Sequence, residues 1–139
     1  MPVVIDTSPD FRIDVSKVAA AITPKTRWVM LNSPSNPTGA AYSADELREL
    51  AAVLLRHEQV LIITDDMYEH VWYADTPFAT IAEVEPALYD RTITINGCSK
   101  AYAMTGWRIG YCGGPAELIA AMSTIQGQST SNPASMCQK

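Results

Sequence analysis

Hydrophobic residues along the chain gather in short apolar runs of the kind that form buried β-strands. Two of the three clearest runs are rich in β-branched residues, and the three are Trp28-Val29-Met30-Leu31, Val60-Leu61-Ile62-Ile63-Thr64 and Thr92-Ile93-Thr94-Ile95-Asn96. Runs this apolar are typical of parallel strands that helices cover on both faces. We therefore predict strands over 28–31, 60–64 and 92–96, and a shorter fourth strand over 109–112.

A helix is predicted between the first two strands. It begins at Ser43-Ala44-Asp45-Glu46, which has the S-x-x-E form of a capping box. Apolar residues then recur at helical spacing, at Leu47, Leu50, Ala51, Leu54 and Leu55. Because a strand, a helix and a strand at this spacing form a βαβ unit, the two strands are predicted to be parallel.

Weaker signals predict three further helical segments. Asp14 is a suitable cap for a helix over 15–22, and Pro115 begins a helix that runs to about residue 126. A short helical piece is predicted over 79–84, in a loop-rich passage. No repeat, linker or low-complexity tract marks a boundary, so the predicted fold class is α/β, a mainly parallel sheet with flanking helices.

The composition of the chain limits the kinds of molecule that it is predicted to bind. The chain has 139 residues, 47% hydrophobic and 18% charged, which suits one folded domain, and its net charge is −5. Without clustered Lys and Arg, this charge argues against a nucleic-acid partner. No apolar stretch approaches the ~20 residues of a membrane helix, and the first twenty residues lack a secretory signal. We predict a soluble, cytoplasmic protein.

Neither the cysteines nor the histidines suggest a metal site. Cys98, Cys112 and Cys137 are odd in number and lack metal-ligand spacing, so they are interpreted as reduced thiols. His57 and His70 have no triad partners at suggestive spacing. We interpret His57 as the cation at the end of the predicted helix that follows Ser43.

Polar clusters follow each of the three main strands. They begin at Asn32, Asp65 and Cys98, and the last contains Lys100. Ligands of open α/β sheets bind outside the carboxyl ends of the strands. Asn36, Asp65 and Lys100 are therefore predicted to share one pocket, although about thirty residues separate each from the next.

Three motifs in this order resemble the class I/II aminotransferases, the fold-type I enzymes that use pyridoxal 5'-phosphate. They are Asn36-Pro37-Thr38-Gly39, Asp65-x-x-Tyr68 and Ser99-Lys100-x-x-x-x-Thr105-Gly106-x-Arg108. The finer pattern is similar to the bacterial aspartate aminotransferase branch. The resemblance implies part of the α/β/α large domain over 1–139 with no second domain, a homodimer in the full-length enzyme, and a role in amino-acid metabolism. It implies an amino acid, aspartate or a related acidic or aromatic one, and a 2-oxo acid as substrates.

The resemblance also implies a role for each matching residue. Lys100 matches the Schiff-base lysine, which also carries protons as the general base. Asp65 matches the carboxylate that keeps the cofactor's pyridine nitrogen protonated, with Asp66 as a rival for this role. Tyr68 and Asn36 match the pair that hydrogen-bonds the cofactor's phenolic oxygen.

The phosphate site is implied less completely. Arg108 matches the phosphate-binding arginine, whose planar and permanently charged fork suits that role, and Ser99 adds a hydroxyl. The family often has another serine three residues before the lysine. Here that position is Gly97, so one phosphate contact is in doubt.

Alternatives remain open at this point. Another pyridoxal-phosphate reaction on the same core, of the β-lyase type, uses the same residues, and a non-catalytic aminotransferase-like domain is a further possibility. The family's glycine-containing phosphate loop, its ring-stacking aromatic and its substrate-carboxylate arginine have no match here. We therefore expect a truncated or excised piece that is inactive by itself and marginally stable or oligomeric, because it leaves sheet edges and an apolar face uncovered.

Overall fold

Four strands lie side by side in their sequence order. A computed structural model describes residues 1–7 and 9–138 of the chain. The strands are β1 Trp28–Asn32, β2 Leu61–Asp65, β3 Thr92–Gly97 and β4 Gly110–Gly113. β1, β2 and β3 are parallel, and β4 runs antiparallel to β3. The predicted strands and the parallel pairing of the first two are confirmed, with ends that differ by one residue.

Helices connect and flank the strands. They are α1 Val15–Ala21, α2 Ala44–Leu54, α3 Ile81–Val84, α4 Cys98–Ala101 and α5 Ala116–Ser129, with short 3-10 helices at Pro86–Arg91, Thr105–Trp107 and Ser135–Cys137. The predicted caps are confirmed, since Asp14 accepts hydrogen bonds at the start of α1 and Ser43 forms a reciprocal capping box with Glu46. Pro115 is the N-cap of α5 rather than its first helical residue.

The core lies between α1, α2, α3 and one face of the sheet. Its buried residues are Val18, Leu31, Leu47, Leu50, Ala51, Leu54, Val60, Ile62, Ala79, Ile81 and Leu88. The predicted apolar face of α2 is confirmed except at Leu55. That residue is the C-cap of α2 and is 38% exposed.

The opposite face of the sheet is partly open. Met30 is 74% exposed and Trp28 is 39% exposed, and both alternate with the core residues of β1. α5 contributes no buried residue. The expectation that helices cover the strands on both faces is therefore wrong for β1 in this chain.

The C-terminal end of α2 is held by a residue distant in sequence. The Arg91 guanidinium donates to the carbonyls of Leu54, His57 and Val60 at 3.3, 2.9 and 3.2 Å. The prediction for His57 is wrong, because α2 ends three residues earlier and the cation at its end is Arg91.

Two further predictions concern membrane helices and the cysteines. No helix among residues 1–7 and 9–138 is long and apolar enough to cross a membrane. The three cysteines are free thiols.

Candidate functional site

Three polar segments come together at one edge of the sheet. Because β1, β2 and β3 are parallel, their carboxyl ends lie on the same side, with Asn32 beside Asp65 and Asp65 beside Ile95. Asn36 follows β1, Asp65 ends β2, and α4, which carries Lys100, begins directly after β3.

Tyr68 lies between the other two segments. The Asn36 amide Nδ2 donates to the Tyr68 hydroxyl at 3.4 Å, and the Lys100 amine Nζ lies 5.8 Å from the centroid of the Tyr68 ring. Tyr68 is half-buried, whereas Asn36 and Lys100 are exposed. An amide, a phenol and an amine that follow three different strands thus converge at Tyr68. The shared pocket of Asn36, Asp65 and Lys100 stays a prediction.

Asn32 joins the first two segments, a role that no sequence pattern predicted. Its Nδ2 donates to the Asp65 carbonyl at 3.2 Å, and its Oδ1 accepts the Asn36 backbone N–H at 3.0 Å. The loop that carries Asn36 is thereby tied to the end of β2. Only its position as the last residue of β1, in register with Asp65, identifies this role.

Asp65 and Asp66 have different surroundings. Asp65 is half-buried, and its Oδ1 accepts the Met67 backbone N–H at 3.1 Å. Asp66 is 2% exposed, and its Oδ1 accepts the Thr64 hydroxyl at 2.6 Å, on the core face of the sheet. Burial raises the pKa of Asp66, with a further increase from the Glu69 and Asp65 carboxylates. Asp66 is therefore enclosed, while Asp65 remains accessible at the sheet edge.

Ser99 and Arg108 are linked to each other through Thr105. The Arg108 guanidinium donates to the Thr105 carbonyl, and the Thr105 hydroxyl donates to the Ser99 carbonyl, both at 3.3 Å. Arg108 adopts the left-handed conformation (φ 56°) at the end of a 3-10 helix. Among the described residues, no hydrogen bond or ion pair joins this group to Tyr68 or Lys100. The exposed guanidinium keeps donors available for an anion.

Gly97 permits a close approach of two backbone segments. A Cβ added there would lie 2.8 Å from the Ile109 carbonyl oxygen and 3.0 Å from the Met67 methyl carbon. A serine at this position would require the backbone to shift.

Comparison with known proteins identifies similar sequences along almost the whole chain. The sequence model of the family described as aminotransferase class I and II matches residues 1–138. The chain is 60% identical over 139 residues to the aspartate aminotransferase of Rhizobium meliloti (strain 1021). It is 62% identical over 128 residues to the aspartate/prephenate aminotransferase of Cereibacter sphaeroides (strain ATCC 17029 / ATH 2.4.9). These alignments cover 99% and 92% of the chain, but 34% and 32% of the relatives.

Solved structures agree with the sequence matches. The crystal structure of the aspartate aminotransferase from Rhizobium meliloti superposes with a TM-score of 0.88 at 61% identity, covering 94% of this chain and 32% of that one. Aspartate aminotransferase from Thermus thermophilus with maleate gives a TM-score of 0.84 at 42% identity, covering 93% and 32%. The predicted α/β fold is confirmed, and the chain spans about a third of the length of the curated relatives it matches.

Proposed function

Because this chain belongs to the class I and II aminotransferase family, we propose that it is the cofactor-holding part of a pyridoxal-phosphate-dependent aminotransferase. The observation that carries the proposal is the convergence of Asn36, Tyr68 and Lys100 at the carboxyl edge of a parallel sheet. As a domain, residues 1–139 correspond to part of the large domain.

The chemistry of the side chains fits pyridoxal phosphate. Its ring carries a carbonyl, a phenolic oxygen, a basic nitrogen and a phosphate, and each needs a different partner. The chain offers an amine at Lys100, an amide and a phenol in contact at Asn36 and Tyr68, an accessible carboxylate at Asp65 and a guanidinium at Arg108. The Ser99 hydroxyl adds a second group that suits the phosphate.

Each side chain then has a definite task. When bound, pyridoxal phosphate supplies an electron sink for the bonds of the substrate's Cα. Lys100 would hold the cofactor through its Nζ amine at the carbonyl carbon, with the carbonyl oxygen leaving as water. The amine, when free, would accept the proton from the substrate's Cα. The Asp65 carboxylate holds a proton on the pyridine nitrogen. Tyr68 and Asn36 orient the phenolic oxygen through hydrogen bonds.

The substrates that we propose are an amino acid and a 2-oxo acid. The relatives named above are an aspartate aminotransferase and an aspartate/prephenate aminotransferase, which supports aspartate or a related acidic or aromatic amino acid as the donor. Transfer between these small molecules requires neither a nucleic acid nor a membrane. A homodimer in a cytoplasmic setting is part of the same proposal.

A labelling experiment tests whether Lys100 is the reactive amine. The purified chain is incubated with pyridoxal phosphate, reduced with borohydride and digested, and the modified lysines are quantified by mass spectrometry. We expect an imine absorbance band and label mainly on Lys100, with little on Lys17 or Lys25. Lys100→Arg is the control, because it keeps the charge but cannot form the imine, and it should abolish the band.

If pyridoxal phosphate labels all lysines to the same extent, cofactor binding by this chain is contradicted. Activity is tested separately by exchanging the equivalent third of the Rhizobium meliloti enzyme for residues 1–139. The chimera should transfer the amino group of aspartate, and its Lys100→Ala variant should lose at least about 10³-fold in kcat, because nucleophile and base are lost together. An inactive but folded chimera that binds the cofactor would contradict the proposed reaction.

A further inference from the structure

Asn96, near the end of β3, is buried and has a hydrogen bond at each end of its side-chain amide. It is 6% exposed, and its Oδ1 accepts the Gly97 backbone N–H at 2.7 Å. Its Nδ2 donates to the Glu69 carboxylate Oε1 at 2.8 Å. A buried amide that is hydrogen-bonded at both ends has little freedom to move. Breaking either hydrogen bond would leave a polar group without water or a partner.

Glu69 is the neighbour of Tyr68 in a segment built from turns. Its backbone N–H donates to the Asp66 carbonyl at 2.9 Å, and the Val71 N–H donates to the Tyr68 carbonyl at 2.8 Å. These local bonds shape the segment without fixing it to the sheet. The attachment to β3 comes from the Asp66 N–H, which donates to the Ile95 carbonyl at 2.9 Å, and from the Glu69 side chain.

The other end of this hydrogen bond leads directly to Lys100. Asn96 is followed by Gly97, which is closely packed on the Ile109 backbone, and then by α4. The Cys98 N–H donates to the same Ile109 carbonyl at 3.2 Å, so the start of α4 is held in place. One hydrogen bond between side chains 27 residues apart therefore connects the segment of Tyr68 with the segment of Lys100.

We propose that the Glu69–Asn96 hydrogen bond is a positioning contact that sets Tyr68 against Lys100. The inference rests on the proposed function, in which Tyr68 and Lys100 act on the same cofactor ring. Neither Glu69 nor Asn96 touches the reacting atoms. Both residues act by keeping the Tyr68 ring at its 5.8 Å distance from Lys100 Nζ.

The charges around Glu69 explain why its partner is a neutral amide. His70 Nε2 lies 3.2 Å from the same Oε1, and the Asp66 carboxyl and Tyr111 hydroxyl are close enough to interact with Glu69 electrostatically. His70 and Glu69 form an ion pair only while the imidazole carries a second proton. The Asn96 amide donates at every pH and keeps the contact constant.

The positions of the two side chains are tested first without cofactor. Reductive ¹³C-methylation of the chain gives one NMR signal for each dimethyl-lysine, and the Tyr68 ring should displace the Lys100 signal from those of Lys17 and Lys25. We expect Glu69→Ala and Asn96→Ala to return this signal toward the position of the exposed lysines. Glu69→Gln keeps an acceptor for Asn96 and should keep the displacement, as should Glu58→Ala, an exposed carboxylate.

The functional consequence is then measured by borohydride labelling with pyridoxal phosphate. Loss of one buried hydrogen bond corresponds to about a fivefold change in equilibrium, so Glu69→Ala and Asn96→Ala should lower the Lys100 label about fivefold relative to Lys25. The double variant should lose no more than either single one, because both changes remove the same contact. If the losses of Lys100 label in the two single variants add up in the double variant, the proposal is overturned.

Asn96→Asp supplies a pH readout that a purely structural role would not give. It keeps the shape of the side chain but faces Glu69 with a second carboxylate, so the Lys100 signal should lose its displacement at pH 7. As the pH falls, one of the two carboxyls binds a proton and donates again, and the displacement should recover, also in a His70→Gln background. If the Lys100 signal is unchanged in every variant, the positioning contact is overturned. If the unsubstituted chain shows a displaced Lys100 signal but pyridoxal phosphate labels all its lysines equally, only cofactor binding is contradicted.

Discussion

Adjacent side chains at the end of β2 differ in what they can do. Asp65 and Asp66 are chemically alike, yet one lies at the accessible sheet edge and the other is enclosed beside Thr64. The sequence favoured Asp65 over Asp66 as the predicted partner of the cofactor only through its spacing to Tyr68. The burial of Asp66 supplies an independent physical reason, because an enclosed carboxyl cannot reach a ligand outside the strand ends.

At the residue scale we predict that Asp66→Asn stabilises the chain at neutral pH. Burial raises the pKa of Asp66 in the folded state above its ordinary value of 3.8. The contribution of Asp66 to stability is therefore complete below pH 3.8 and is lost as the pH rises through the folded-state pKa. Asparagine avoids burying the charge and still accepts from Thr64, so the free energy of unfolding at pH 7 should rise by about 1 kcal/mol.

Urea unfolding at pH 7 and at pH 3.5 checks this prediction. The free energies of unfolding of Asp66→Asn and the unsubstituted chain should differ at pH 7 and agree at pH 3.5. Asp90→Asn, an exposed aspartate, is the control and should change stability little at either pH. A loss of stability in Asp66→Asn at pH 7 would show that the charge is compensated.

Among the elements, α2 was the one best predicted from sequence. Its capping box is local, since Ser43 and Glu46 are three residues apart and exchange hydrogen bonds directly. The structure adds Arg12, which binds the same Glu46 carboxylate and also donates to the Ala41 carbonyl at 2.8 Å. The N-terminal segment is therefore fastened to the start of α2, next to the loop that carries Asn36.

At the element scale we predict that this carboxylate stabilises α2 only when it is charged. Burial alone raises the pKa of Glu46, but hydrogen bonds from Ser43 and the Arg12 guanidinium outweigh burial and hold the pKa below its ordinary 4.5. The stabilisation is complete above pH 4.5 and is lost as the pH falls through the folded-state pKa. Because the Arg12 pair is exposed to solvent, Glu46→Gln should cost only about 0.5–1 kcal/mol at pH 7.

Chemical unfolding from pH 2 to 7 measures the stability of Glu46→Gln and of the unsubstituted chain. The stabilities of Glu46→Gln and the unsubstituted chain should converge as the pH falls below 4.5, and Glu58→Gln should follow the unsubstituted chain throughout. A difference that persists unchanged at pH 2 would contradict a role of the charge.

For the molecule as a whole, the open face of the sheet has the largest consequence. Met30 and Trp28 are exposed on β1, and α5 carries exposed Met122 and Ile125 without burying any residue. Exposed apolar surface of this kind favours association, and the outer edge of β1 offers unpaired backbone groups. The expectation of a marginally stable or oligomeric chain drawn from the sequence stays a prediction.

At the scale of the molecule we predict that the chain self-associates through this face. Sedimentation velocity over a range of concentrations should show species larger than a monomer, because association removes the apolar face from water. Met30→Lys should shift the distribution toward the monomer. Tyr73→Lys removes an aromatic side chain that is even more exposed than Met30, from a loop, and should have little effect. A monomer that unfolds in one sharp transition in dilute buffer would contradict the prediction.

The sequence by itself determined the features that depend on near neighbours. Apolar runs identified the strands, helical spacing and a capping box identified α2, and the order of three motifs identified the family. These features are readable because hydrogen bonds within a turn and the alternation of side chains have fixed short periods. The βαβ unit further predicted that Asn36, Asp65 and Lys100 lie at one sheet edge.

Only the tertiary structure decided the contacts between distant residues. Asn32 with Asp65, Glu69 with Asn96 and Arg91 with the end of α2 each join positions 27 to 37 residues apart. No periodicity records such pairs, because they depend on the register of neighbouring strands and on the packing of connecting segments. The open face of the sheet was likewise decided by packing, since the apolar run of β1 has the same composition whether or not a helix covers it.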